Sequence, residues 1–155
     1  MIFVLVGTQD SPFLRILKET EKAIKDLNLK EKVYAQVGKT SFSSKLITTQ
    51  KYFVGKEYEK LIYKARILIT HGGAGILFKG IHLGKKIIAI PRKMELGEHN
   101  DNHQNELVTK LSKLGYIYEA KNSVKKALLD IDAFDPKPYT LKNDLLNAVE
   151  NFIEE

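Results

Sequence analysis

Continuous apolar runs alternate along this chain with segments whose apolar residues recur every three to four positions. Residues 2–6 (IFVLV) are rich in β-branched and aromatic side chains and have no polar alternate, the pattern of a strand buried on both faces, and Gly7 stops the run. Ser11 and Pro12 then read as an N-cap and first helical residue, ahead of a stripe of Phe13, Ile16, Leu17, Ile24 and Leu27 at helical spacing. Residues 33–37 predict a second strand ended by Gly38, and residues 52–54 (YFV) a short third one ended by Gly55, with residues 39–50 a loop or a weak extra strand.

A short helix carrying Tyr58, Leu61, Ile62 and Ala65 delivers the chain into a fourth strand at residues 67–70, which runs straight into His71-Gly-Gly-Ala-Gly75. Ile76, Leu77, Ile81 and Leu83 continue as a helix closed by Gly84, and residues 86–90 predict a fifth strand stopped by Pro91. After a polar loop at 92–98, Leu107, Val108, Leu111 and Leu114 mark a helix followed by Gly115. A short sixth strand at 116–118 and a helix at 123–131 come next. Asp135-Pro-Lys-Pro138 reads as a turn, beyond which Thr140 caps a last helix, spanning 140–155, with Leu141, Leu145, Val149, Phe152 and Ile153 on one face.

Strands alternating with helices imply right-handed crossovers and a parallel sheet covered on both sides. The expectation is a single α/β domain over residues 1–155, a Rossmann-like sheet of about six strands with helices on both faces. Ligands of such sheets sit beyond the carboxyl ends of the strands, so the loops to inspect start at Gly7, Gly38, Gly55, His71 and Pro91.

With 155 residues and 43% hydrophobic positions the chain can bury one good core. Absence of cysteine removes disulfides and thiolate metal sites and gives no reason to place the chain in an oxidising compartment, so a cytoplasmic location is expected. No apolar run approaches the roughly 20 residues that span a bilayer, and membrane association is expected to be peripheral or borrowed from a partner. The formal charge of +6 is compatible with nucleic acid, anionic lipid or small anions. Because most lysines are scattered singly, with no run of five or six, a solvated basic surface accounts for them better than a nucleic-acid face does.

The glycine-rich turn at 71–75 joins a buried strand to a helix, where exposed backbone N–H groups and the helix dipole favour a phosphate; a turn needing glycine only for its backbone angles is the alternative. Two named phosphate motifs fail on spacing. A Walker A loop ending in Gly38-Lys-Thr40 would need glycine where Val33 stands, and a dinucleotide fingerprint beginning at Gly73-Ala-Gly75 would need one where Phe78 stands. Residues 92–106 (RKMELGEHNDNHQNE) are densely polar, and His99, Asn102, His103 and Gln104 offer the donors and acceptors that grip sugar hydroxyls. His99 and His103 are spaced for a metal pair, but the zinc-hydrolase pattern needs Glu where Asn100 stands. Asp130-Ile-Asp132 reads as a solvated helix end more readily than as an acidic metal site, and His82 as a packing residue of an apolar helix. No metal or other cofactor is expected.

Gly7-Thr8-Gln9, His71-Gly-Gly-Ala-Gly75, Leu83-Gly84-Lys85, Pro91-Arg92 and Glu95-Leu-Gly-Glu-His99 with Asn102-His-Gln104 together resemble the carboxyl-terminal domain of GT-B glycosyltransferases of the family 28 type. The likeness is nearest to small stand-alone versions of that domain: the catalytic subunit of the dolichol-pathway UDP-N-acetylglucosamine transferase, and bacterial capsule and exopolysaccharide subunits. The resemblance implies a UDP-sugar-dependent hexosyltransferase subunit needing no metal, held at the cytoplasmic membrane face by a membrane-anchored, acceptor-binding partner and acting on a lipid-linked acceptor, without nucleic acid.

It further implies that Thr8, Gly72, Gly73, Ala74 and Gly75 lie around the diphosphate, that Phe53 and Val54 border the uracil, and that His103 and Gln104 face the donor sugar. Arg92, Glu98 and Asn102 complete the nucleotide-sugar set, and His71, His99 and His103 are the catalytic candidates. One position departs from the family: where many members carry an acid for the ribose hydroxyls, this chain has Lys79. The different-class alternative is a nucleotide- or nucleic-acid-binding module without transferase activity.

Overall fold

The computed structural model describes residues 1–7, 11–98, 103–121 and 123–140. In chain order these form β1 (Ile2–Leu5), α1 (Leu14–Leu27), β2 (Val33–Gln36), β3 (Thr48–Gln50), α2 (Gly55–Lys64), β4 (Ile67–Thr70), α3 (Ala74–His82), β5 (Lys86–Ala89), α4 (His103–Lys113), β6 (Tyr118–Glu119) and α5 (Val124–Asp130), with 3-10 turns at Met94–Leu96 and Ile131–Ala133. The strands pair throughout in parallel in the order β3-β2-β1-β4-β5-β6.

β1 is the hinge of the arrangement, with Ile2 opposite Val33 of β2 on one side and Ile67 of β4 on the other. Strand order reverses there, so a crevice opens beyond the carboxyl ends of β1 and β4, which is where Gly7 and His71 lie. Alternation along the strands divides the core in two. Ile2, Val4, Val6, Ile67, Ile69 and Ile88 pack with Ile16, Leu17 and Ile24 of α1 and Leu128 of α5. Phe3, Leu5, Leu68 and Ile87 face the other way, against Ile62 of α2, Leu77 of α3 and Leu111 of α4. Each of these fully buried aliphatic or aromatic side chains is worth roughly 1.5–3 kcal/mol relative to exposure.

Two elements differ from the sequence expectation. The third strand is Thr48–Gln50, paired with Tyr34–Gln36, and not residues 52–54. An edge strand with one face in solvent needs little hydrophobicity, while the apolar signal at 52–54 comes from Phe53, whose ring packs edge-on against Phe3 at 5.6 Å. Helix α1 starts at Leu14 after Phe13, not at Pro12 after a Ser11 cap. The Phe13 N–H instead donates to Thr40 Oγ1 at 2.9 Å, so the third residue of the Walker-like Gly38-Lys-Thr40 has a structural task.

Smaller shifts occur at β6, which pairs through Tyr118 and Glu119 with Tyr116 and Ile117 buried just before it. Ser123 caps α5, accepting from Lys126 N–H at 3.2 Å. His82 ends α3 on the surface, where its ring meets that of Tyr139 at 4.9 Å; its packing partner is therefore a late residue and not the core. The expected terminal helix lies, after Thr140, outside the described residues. No described helix is long and apolar enough to cross a membrane.

Candidate functional site

At the end of β4 the chain makes a turn in which two glycines are dictated by their neighbours. Gly72 has φ +93°, and a Cβ there would sit 2.7 Å from Val108 Cγ2. Gly73 has ordinary φ, but its Cβ would lie 2.5 Å from His71 Nε2, and a Cβ on Gly7 would come within 2.7 Å of the same atom. The buried imidazole of His71 is thus wedged between the loops after β1 and β4. Its Nδ1 lies 3.3 Å from both the Leu5 carbonyl and Thr70 Oγ1. The Leu5 carbonyl can only accept, so Nδ1 donates in that contact.

Gly75 is different. It is exposed, its φ is unexceptional, and nothing stands within 4 Å of the Cβ it lacks. Inside a helix such a glycine costs up to about 1 kcal/mol relative to alanine, and no protein neighbour accounts for it. The first turn of α3 also has no acidic residue, and its cap, Gly73, has no side-chain oxygen to offer the free N–H groups. Those N–H groups and the positive end of the helix dipole face the crevice at the strand switch.

The loop after β5 is held by two arginines. Arg92 is 1% exposed, with Nη1 donating to the carbonyls of Ser11 (2.6 Å), Glu98 (2.9 Å) and Pro12 (3.4 Å) and Nη2 to that of Val6 (2.8 Å). Burial lowers its pKa from the usual arginine value, and Glu98 opposes that shift. Arg15 forms a fork on Glu98, with Nη2 2.9 Å from Oε1 and Nε 3.1 Å from Oε2, and Nη2 also reaches the Pro91 carbonyl at 2.9 Å. The Lys93 N–H closes the set on Glu98 Oε1 at 3.0 Å. Both guanidiniums lie over the Phe13 ring, with Arg92 Cζ 4.9 Å and Arg15 Cζ 5.2 Å from its centroid. Arg92 and Glu98 therefore fasten the loop after β5 to the segment between β1 and α1. A recess of about 310 Å³, lined by Arg15, Pro91, Lys93, Glu119, Ala120 and Lys121 among others, opens beside them.

On the far side of the crevice the Phe53 ring is buried, and its N–H donates to Gln36 Oε1 at 2.9 Å, while Val54 is 72% exposed at the start of α2. Lys79 is paired with Glu59 of α2 and lies 5.6 Å over the Tyr58 ring. Asp130 accepts from Tyr118 Oη at 2.8 Å, which heads the contacts lowering its pKa, and Asp132 pairs with Arg66 at 2.8 Å; the two acids serve separate partners. No metal-ligating group of three His, Cys, Asp or Glu occurs among the described residues.

Of the sequence-predicted residues, His71, Gly72, Gly73, Ala74 and Gly75 stand together at the mouth of the crevice, with Phe53 and Val54 one loop away. His103 and Gln104 open α4, but their side chains, like Thr8, His99 and Asn102 altogether, lie outside the described residues. Sequence reasoning did not single out Arg15, Gln36 or Glu59, and weighed Thr40 only as the end of a Walker-like loop. Only Arg15 carried a local hint, as a cation beside the buried stripe of α1, and its partner is 83 positions away.

The family model of the glycosyltransferase family 28 C-terminal domain matches residues 1–155. No curated protein matches the chain. Among solved structures, the solution structure of ALG13 is similar with TM-score 0.62 at 15% identity, over 94% of this chain and 91% of that one. The calicheamicin glycosyltransferase CalG4 gives 0.62 at 11% identity over 99% and 38%, and MurG of Acinetobacter baumannii 0.54 at 14% over 97% and 41%. The chain thus spans about two fifths of the length of the latter two.

Proposed function

Because the chain belongs to the glycosyltransferase family 28 C-terminal domain family, we propose that it is the donor-binding half of a UDP-sugar-dependent hexosyltransferase whose acceptor-binding half is a second, membrane-anchored subunit. The observation that carries this is the first turn of α3: uncapped N–H groups, no acid, and a Gly75 whose missing side chain serves no neighbour. That space suits a diphosphate, whose charge would be held by the N–H groups and the helix dipole without a metal ion.

With the diphosphate there, the uracil reaches toward Val54 and the donor sugar toward the start of α4, where His103, Gln104 and Asn102 would contact its hydroxyls, and Thr8 would close over the phosphates. Arg92 and Glu98 act as positioning residues, because they tie together the loops on either side of the sugar. Glu59, brought beside α3 by Lys79, supplies a carboxylate for the ribose side. In the reaction the anomeric C–O bond to UDP breaks and one to the acceptor hydroxyl forms. The departing diphosphate is stabilised by α3, and the hydroxyl proton passes to a base.

Of the histidine candidates, His71 lies too tightly between Gly7 and Gly73 to reach an acceptor, which leaves His99, His103 or a group of the partner. A lipid-linked acceptor and a place at the cytoplasmic membrane face follow from the same reading.

Calorimetric titration with UDP and with a single-stranded RNA, both in chelator, tests it. The expected result is saturable UDP binding and weak, steeply salt-dependent RNA binding. RNA binding in preference to UDP would favour a nucleic-acid module instead, and a strict need for manganese or magnesium would remove the metal-free donor site.

A further inference from the structure

At the amino-terminal edge of the sheet, opposite the glycine turn, large apolar side chains stand in solvent among lysines. Tyr63, in the last turn of α2, is 73% exposed, and Leu83, just after α3, is 39% exposed. They belong to one surface: Lys85 Nζ donates to the carbonyls of Tyr63 and Ala65, the latter at 2.9 Å, and lies 5.6 Å over the Tyr63 ring. Tyr139, 37% exposed, extends the patch through its edge contact with His82, the neighbour of Leu83.

Lys60 and Lys64 are exposed one turn before and immediately after Tyr63, and Lys85 adds a third cation. The nearest carboxylate on α2, Glu59, is taken up by Lys79. Within the core a tyrosine at the end of an amphipathic helix would turn inward, but here Ile62 fills that role at 0% exposure and Tyr63 points the other way.

We propose that this patch is a docking surface for an anionic lipid bilayer, used independently of nucleotide binding. Charge complementarity selects the occupant. Amphipathic tyrosines and one leucine suit the headgroup boundary, where aromatic rings place their apolar body inward and the hydroxyl in water. The surrounding ammonium groups match anionic headgroups, each worth roughly a fivefold gain in partitioning near such a surface. Lysine stems can lie along the apolar boundary while their charges stay in the headgroups. A contact of this kind is shallow and reversible, and by itself would give weak binding that adds to any anchoring supplied by a partner protein.

The test is cosedimentation of the full chain with vesicles of phosphatidylcholine alone or containing phosphatidylserine, without nucleotide or partner. Binding is expected only with phosphatidylserine and is expected to fall with salt. Tyr63→Ser with Leu83→Ser, and separately Lys60→Glu with Lys64→Glu, should each lower it about tenfold or more, while UDP affinity and the melting transition stay unchanged. Binding indifferent to both pairs of substitutions, or no binding to anionic vesicles, overturns the proposal. So does a concentration-dependent dimer that these substitutions dissolve, since the patch would then be covered by a second copy. UDP binding read on the same variants keeps failure here separate from failure of the donor-site reading.

Discussion

His71 Nε2 stands 2.5 Å from where a Cβ on Gly73 would be, so the imidazole and the cap of α3 occupy mutually exclusive space unless residue 73 is glycine. Gly73→Ala should therefore displace the ring or the turn. Overpacking of this kind costs about 1–3 kcal/mol. Thermal melting should show it, together with at least a tenfold loss of UDP affinity. Combining it with His71→Ala should cost less stability than the two changes added together, because the clash is shared. Strict additivity would mean that the two groups do not compete.

Gly75→Ala should behave in the opposite way. Nothing surrounds the missing Cβ, so the added methyl should leave stability unchanged or raise it, by up to about 1 kcal/mol of helix propensity, a few degrees in melting temperature at this size. UDP affinity should nevertheless fall about tenfold, because the methyl enters the space assigned to phosphate. Unaltered UDP binding would show that the ligand does not approach this turn.

Arg92 donates to four main-chain carbonyls drawn from three segments, a set no lysine can span. Arg92→Met should leave those acceptors without a donor and cost about 3 kcal/mol or more, read from the urea midpoint. A loss below about 1 kcal/mol would contradict the clamp.

Glu31 has its pKa lowered below the usual 4.5, first by the hydrogen bond from Arg66, against an opposing effect of burial. In acid the unfolded chain takes up this proton at higher pH than the folded one, so stability rises with pH through that window and the contribution is complete above about pH 5. Glu31→Gln should flatten the acid limb of melting temperature against pH below 4.5 and lower stability at neutral pH. An unchanged acid limb would show that Glu31 does not contribute to it.

Much of this was legible because buried parallel strands announce themselves: residues 2–6 and 67–69 are continuously apolar, and the glycine turn follows directly after Thr70 at the end of the second of these strands. The glycine turn between β4 and α3 was readable for the same reason, since it rests on local backbone geometry. What was not legible depends on contacts distant in sequence. β3 was misplaced because an edge strand carries little hydrophobic signal, while Phe53, apolar and nearby, serves the core from a loop. The start of α1 was misplaced because Phe13 finds its acceptor at Thr40, and because Arg92 draws on the carbonyls of Ser11 and Pro12 from beyond the fifth strand. The polar loop holding Arg92 and Glu98 was legible as a loop, but the fastening of these two residues to Val6 and Arg15 needed the fold to be seen.

UDP is expected to seat its diphosphate on the first turn of α3 without a metal ion. Amide chemical shifts followed during UDP titration in chelator test it most directly, since the expected donors are main-chain N–H groups. The largest, saturable changes are expected at Gly73, Ala74, Gly75 and Ile76, with smaller ones near Val54 and at the start of α4, and no further change in this pattern when magnesium is added. Saturable changes confined to another surface, or changes at these amides that appear only with a divalent cation, would contradict it.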